Sequence, residues 1–227
     1  MTQNLKEQKI MRYERKWYIK KISKPELNLI LNKSNFFFSE QHPARKVNSI
    51  YFDNLKLSSV KDNLDGINIK QKIRIRWYGS KNKIHNAKIE IKKKNGFKNT
   101  KIIKDIDEIN NLMPSKFTDL DKIRNVINKK LNSNGILSPT AMTNYNREYY
   151  ISNDNLIRAT IDFNIQNTLL SKINDKNINK NYFHLILELK YDLNLDNFVR
   201  KNINSSFRLT KNSKYVNSFF MNYSYLS

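Results

Sequence analysis

The chain has 227 residues, 39% of them hydrophobic and 11% aromatic, with four glycines and four prolines. That is enough for one domain with a sizeable core, and it excludes a low-complexity or disordered chain. A net charge of +22 points to anionic partners, and the absence of cysteine excludes disulfides and thiolate metal sites and makes a reducing compartment natural.

Residues 1–10 read as a flexible leader and 11–227 as a single domain. Met1 to Lys9 lacks the apolar centre of a signal peptide, and no apolar run approaches the ~18 residues of a membrane span, so a cytoplasmic protein without a transmembrane segment is expected. In the first strand Arg12, Glu14, Lys16 and Tyr18 alternate, raggedly, with Met11, Tyr13, Arg15 and Trp17. Helices are expected over Pro25 to Phe38, behind a Ser23 cap, and over Leu55 to Leu64, ending at Gly66. The clearest signal follows in Lys72-Ile73-Arg74-Ile75-Arg76-Trp77-Tyr78, which alternates strictly and carries a cation at its polar positions. Lys88, Glu90, Lys92 and Lys94 alternate with Ala87, Ile89 and Ile91, and Asp105 to Leu131 reads as a helix broken by Pro114. Farther on, Tyr145, Arg147 and Tyr149 share a face. Arg158, Thr160 and Asp162 oppose Ile157, Ala159, Ile161 and Phe163, and Glu188 and Lys190 oppose Leu185, Leu187 and Leu189. Short helices are expected over Leu195 to Ile203 and Ser213 to Phe220.

Two architectures satisfy these rows. In an open sheet the ions face water; in a closed barrel jacketed by helices, the apolar rows face the helices and the ions line the lumen. A lumen walled by Lys16, Arg74, Arg76, Lys92, Arg147, Arg158 and Lys190 requires a polyanion, because unpaired buried charge costs several kcal/mol per ion. Arginine grips phosphate through its planar fork and lysine adds point charge. Abundant Lys, Asn and Ile suggest a coding bias, so arginine positions carry more weight. Glu14, Glu90, Asp162 and Glu188 supply the oxygen ligands that a divalent metal needs. The ordinary roles stand beside these: Glu14 and Glu90 as salt-bridged wall residues, Tyr145 as a packing residue, and Ser213 as a helix cap. Capping by Ser213 would also aim N–H groups at an anion. Trp77 lies on the apolar side of its strand, opposite the arginines, which argues for the core and against a stacking platform for nucleic acid. His42, His85 and His184 show no metal spacing.

Arg12-Tyr13-Glu14-Arg15-Lys16, Ser49-Ile50-Tyr51-Phe52-Asp53, Arg74-Ile75-Arg76, Glu90-Ile91-Lys92, Asn144-Tyr145-Asn146-Arg147, Arg158-Ala159-Thr160-Ile161-Asp162, Leu187-Glu188-Leu189-Lys190 and Ser213-Lys214-Tyr215 occur in this order. Together they resemble the polyphosphate polymerase domain of the vacuolar transporter chaperone (VTC) complex, a member of the triphosphate tunnel metalloenzyme superfamily (CYTH-like), over about Arg12 to Phe220. The resemblance implies an α+β fold, an eight-stranded antiparallel β-barrel tunnel with a charged lumen and helices packed outside. It implies transfer of the γ-phosphoryl group of ATP to a growing polyphosphate chain. Lys16, Arg74, Arg76, Lys92, Arg147, Arg158 and Lys214 would then hold the reacting phosphates. Tyr145, Lys190, Ser213, Glu14 and Glu90 would support substrate, and Glu188 would bind Mn²⁺ or Mg²⁺. The partners implied are ATP and inorganic polyphosphate or pyrophosphate, with no specific nucleic acid and with membrane association only through a partner. A triphosphate or nucleoside triphosphate hydrolase in the same tunnel and a non-catalytic polyphosphate binder are the alternatives. Hydrolases of this fold resemble one another in a Glu-x-Glu-x-Lys strand, whereas here Arg12 stands in place of the first acid, which favours transfer over hydrolysis.

Overall fold

The computed structural model describes residues 8–9, 12–96, 98–133, 136–170, 178–182, 184–203, 207–210 and 213–223. Its strands are β1 (Gln8–Lys9), β2 (Arg12–Ile19), β3 (Ser39–Asp53), β4 (Ile69–Tyr78), β5 (Lys88–Asn95), β6 (Lys98–Asp105), β7 (Ser138–Ile151), β8 (Arg158–Leu169), β9 (Ile178–Tyr182) and β10 (Leu185–Asp192). Its helices are α1 (Lys24–Asn32), α2 (Ser58–Leu64), α3 (Phe117–Leu131), α4 (Asp196–Asn202) and α5 (Lys214–Tyr223).

All the strands join one antiparallel sheet in the order β1-β6-β5-β4-β3-β7-β8-β10-β2, with β9 paired to β8. Eight of them have eight residues or more. The expectation of a closed barrel is corrected: among the described residues, hydrogen bonds do not join the two ends of this path, which are β1 on β6 and β2 on β10. The sheet nevertheless curls. β1 ends at Lys9 and β2 begins at Arg12, so the two edges lie within three Cα–Cα links, about 11 Å. Glu14 of β2 reaches Lys92 of β5 at 3.5 Å, across the gap between the edges.

The outward rows are apolar, and each is covered by helix. Trp17, Ile19, Ile161, Leu185, Leu187 and Leu189 pack with Leu27 and Leu31 of α1 and Val199 of α4. Ile50, Phe52, Ile73, Ile75, Trp77, Ile89 and Ile91 pack with Ile123 and Ile127 of α3. Each such side chain stabilises the fold by about 1.5–3 kcal/mol relative to exposure, so turning the strands over would forfeit both cores. Arg15 belongs to this outer side: it bonds Asp196 at 2.7 and 2.8 Å and Tyr191 at 2.8 Å, tying β2 to α4.

The helix expectations need trimming. Ser23 does cap α1, in a box with Glu26, but the helix ends at Asn32. Phe37 takes a left-handed φ of 48°, and Phe36 and Phe38 turn into the core instead of extending the helix. The segment from Asp105 is not helical until Phe117; Lys98–Asp105 is strand β6. In β8 a register shift opposite Asn144 and Asn146 coincides with Asn164 at φ 51°. This bulge lets Asp162 and Ile165 face the same side as Tyr145.

One mouth of the curl is occupied by α5. Tyr215 stacks on Tyr51 with ring centroids 4.8 Å apart and donates to Asp53 at 2.8 Å, and Phe219 joins Tyr51, Val60 and Ala141 in a small core.

Candidate functional site

Cross-strand register explains the site. Directly opposed residues share a face, and here four inward carboxylates are each opposed to a cation: Glu90 to Arg74, Asp162 to Arg147, Glu188 to Lys16 and Glu14 to Lys190. The inward rows therefore form three ion clusters in which cations outnumber acids.

The first centres on Glu90, which is buried. Arg74 donates to Oε2 through Nε at 2.7 Å and Nη2 at 2.5 Å, Lys101 donates to Oε1 at 2.8 Å, and Arg76 lies 3.8 Å away. Burial pushes the Glu90 pKa up, but Arg74, Arg76 and Lys101 more than reverse this and hold it well below the usual carboxylate range. Arg76 also reaches the Tyr145 hydroxyl at 3.2 Å, and Arg74 the Tyr51 hydroxyl at 3.3 Å.

The second centres on Asp162, which is 0% exposed. Arg147 donates to its two oxygens at 2.5 and 2.8 Å, and Lys214 at the start of α5 pairs with Oδ2. Burial raises the Asp162 pKa; Arg147 and Lys214 overcome it, and the net shift is down. The Lys214 ammonium lies 4.5 Å from the centroid of the Tyr145 ring and the Arg147 guanidinium 5.3 Å. Burial would raise the Tyr145 pKa, but Arg147, Arg76 and Lys214 lower it overall. Asp162 accepts from Arg147 on both oxygens and from Lys214 on Oδ2, which makes it a positioning residue for those cations.

The third holds Glu14 and Glu188 around Lys16. The ammonium lies 2.6 Å from Glu14 and 3.5 Å from Glu188, Lys190 bonds Glu188 at 2.8 Å, and Lys92 bonds Glu14 at 3.5 Å. Burial raises the Glu188 pKa, and Lys16, Lys190 and Arg147 pull it well below the ordinary value. Two carboxylates thus converge on one cation position. No group of three His, Asp or Glu side chains that could hold a metal occurs among the described residues. The donor set fits a hard divalent ion that takes one or two carboxylates and completes its shell with phosphate oxygens and water.

Sequence reasoning placed Lys72 on the cationic row without counting it among the site residues, and missed Lys101. Lys72 shares the face of Arg74 and Arg76 and donates to Ser213 Oγ at 2.9 Å. Ser213 is also a cap: its Oγ accepts from the Val216 N–H at 3.4 Å. Arg158 shares the face of Asp162 but stands exposed at the start of β8 and joins none of the three clusters. The Arg12 side chain lies outside the described residues. Tyr18 meets His184 at 2.9 Å, and Trp77 is fully buried, donating to Ser80 O at 2.8 Å.

The Lys72 pKa is pushed down to about 7, first by burial and then by Lys16, Lys92, Lys70 and Arg74. The unfolded chain keeps that proton up to about 10.4, so the empty fold gains stability as pH rises from about 7 to that value. A bound polyanion acts oppositely by favouring the ammonium. Tripolyphosphate binding at pH 8 should therefore take up a proton that Lys72→Arg does not require, read as a difference in the buffer dependence of the binding enthalpy. Equal uptake in both proteins would contradict this.

The model of the VTC domain matches residues 10–222. The chain belongs to the VTC domain family. No curated protein matches it. Among solved structures it is similar to a provisionally named adenylate cyclase from Vibrio parahaemolyticus, with 10% identity over 86% of this chain and 84% of that one and a TM-score of 0.47. It is also similar to a provisionally named adenylyl cyclase from Hippeastrum, described as having a dominant triphosphatase activity, with 13% identity over 90% and 93% and a TM-score of 0.48. A third, from Bacillus halodurans and again provisionally named an adenylate cyclase, shows 13% identity over 93% and 100% with a TM-score of 0.49. Among the described residues of this VTC domain no helix is long and apolar enough to cross a membrane.

Proposed function

We propose that this VTC domain is a polyphosphate polymerase, transferring the γ-phosphoryl group of ATP to the end of a growing inorganic polyphosphate chain within the lumen. The observation that carries the reading is the convergence of Arg74, Arg76, Arg147, Lys16, Lys101 and Lys214 on one interior, each anchored by a carboxylate. Phosphoryl transfer asks a protein mainly for positioning and charge neutralisation, and such a ring supplies both. An oxygen of the terminal chain phosphate attacks the γ-phosphorus, the bond from that phosphorus to the β–γ bridging oxygen breaks, and ADP leaves. The attacking oxygen is already largely ionised near neutral pH, so no side-chain base is required. Arg74 and Arg76 would grip the donor phosphates through their forks, and Lys16, Lys92 and Lys214 would add point charge. Arg147 and Tyr145 would orient the tail. Glu188, with Glu14 beside it, would hold Mn²⁺ or Mg²⁺, which would supply neutralisation of the charge on the reacting phosphates.

Filling the lumen should relieve repulsion among its cations. Tripolyphosphate at a hundredfold excess over its Kd should raise stability by ~2.7 kcal/mol, seen as a higher melting temperature; an unchanged melting temperature would count against a lumenal site. The activity itself is tested by incubating the protein with ATP and Mn²⁺ and resolving the products on a gel stained for polyphosphate. Chains longer than three phosphates support the polymerase reading. Free phosphate without such chains would refute it and identify a hydrolase.

A further inference from the structure

The two mouths of the tunnel differ in chemistry. At the α5 mouth, Tyr51, Ala141, Tyr215 and Phe219 are packed together and buried. The opposite mouth carries aromatic rings interleaved with a guanidinium. Opposed pairs place Arg45 on the face of Arg147, His42 on the face of Tyr149, and Tyr78 on the face of Val47 and Tyr145. The Arg45 guanidinium carbon lies 5.6 Å from the centroid of the Tyr78 ring and 5.7 Å from that of Tyr149, and the His42 ring meets Tyr149 edge-on at 5.9 Å. Tyr78 is 47% exposed, whereas Tyr51 and Tyr145 deeper inside are 5% and 4% exposed.

We propose that Tyr78, Tyr149 and Arg45 form a nucleobase-stacking site at the open mouth, which holds the base of the nucleoside triphosphate outside while its phosphate tail enters the lumen. This rests on the reading of the lumen as a phosphoryl-transfer site. Three observations support it. Exposed rings beside a guanidinium are a surface that a heterocyclic base takes up, through ring stacking and cation–π contact. Arg147 and Arg76 lie one same-face step inward from Tyr149 and Tyr78, about 7 Å along each strand, where the first phosphates of the tail would follow. At the other mouth α5 packs against Tyr51, Val60 and Ala141, so this end offers the more exposed approach to a nucleotide. Arg45 is exposed and long-stemmed; it can leave one ring to the base and turn to the first phosphate. Stacking reads no hydrogen-bond pattern, so purine triphosphates should bind alike and pyrimidine triphosphates more weakly.

The test compares ATP with tripolyphosphate, which has the tail but no base, by isothermal titration against the native protein, the double variant Tyr78→Leu/Tyr149→Leu, and Tyr78→Ala. ATP affinity should fall about five- to 150-fold in the double variant, the range for loss of base stacking, while tripolyphosphate affinity stays the same. Tyr78→Ala, at an exposed position, should lower ATP affinity alone and keeps the test valid if the double variant misfolds. Equal losses for both ligands, or no loss for ATP, would overturn the stacking site while leaving the lumenal phosphate site standing. Failure of the native protein to bind either ligand would overturn both.

Discussion

Glu188→Gln is expected to lower metal-dependent turnover by about 10²–10³-fold, the scale of removing one preorganised electrostatic group, while sparing polyphosphate binding. Glu188 is 5% exposed and lies among Lys16, Lys190 and Glu14. The amide keeps the shape and loses the negative charge that would anchor a divalent ion. A polyanion loses nothing by that exchange, since the lumen becomes more positive. Single-turnover kinetics with ATP and titration with tripolyphosphate separate the two effects. Normal turnover would remove Glu188 as the metal ligand, and loss of binding would mark it as a wall residue. Arg15→Ala, changed on the outward face of the same strand, serves as the control and should leave both measurements unaltered.

Arg147→Ala should produce the largest loss of stability. It leaves Asp162 fully buried with Lys214 as its remaining ionic partner among the described residues. Breaking a buried pair by removing one member costs about 3–5 kcal/mol, which corresponds to a fall in melting temperature of roughly 6–20 °C for a chain of this size. Adding Asp162→Asn to this variant removes the orphaned charge and should recover part of the melting temperature without recovering phosphate affinity. Native Asp162 has a lowered pKa, so its pairing stabilises the fold above the ordinary carboxylate pKa and is lost as pH falls through the folded value. The deficit of Arg147→Ala should therefore shrink on acidification. Thermal denaturation at pH 7 and at about pH 3, below the ordinary carboxylate pKa, checks this, and a deficit that is unchanged or larger at the lower pH would contradict it.

The face assignments were legible because period two is robust wherever one row enters a core. Ile73, Ile75 and Trp77 are buried under α3, which leaves Lys72, Arg74 and Arg76 inward, as the alternation of that segment implies. The pattern failed at β6, where Ile102 and Ile103 are adjacent: Ile102 packs against the core, while Ile103 opposes Glu90 on the lumenal side. Ile106 and Ile109, three apart and both buried, imitate a helical stripe while lying in turns, which is why the helix expected from Asp105 begins only at Phe117. Parity also says nothing about which strands adjoin. Arg74 with Glu90, Arg147 with Asp162 and Lys16 with Glu188 become partners only through strand order and register, so the division of the lumen into three clusters emerges with the fold. That no hydrogen bonds join β1 to β2 among the described residues is likewise invisible to periodicity, because an open curl and a closed barrel bury the same rows.

The most direct measurement is a crystal structure of the protein grown with tripolyphosphate. The predicted result is an anion inside the curl, its oxygens on Arg74, Arg76, Arg147 and Lys214. Tripolyphosphate seated on the outer faces, with those side chains still paired only to Glu90 and Asp162, would contradict the proposed role of the lumen.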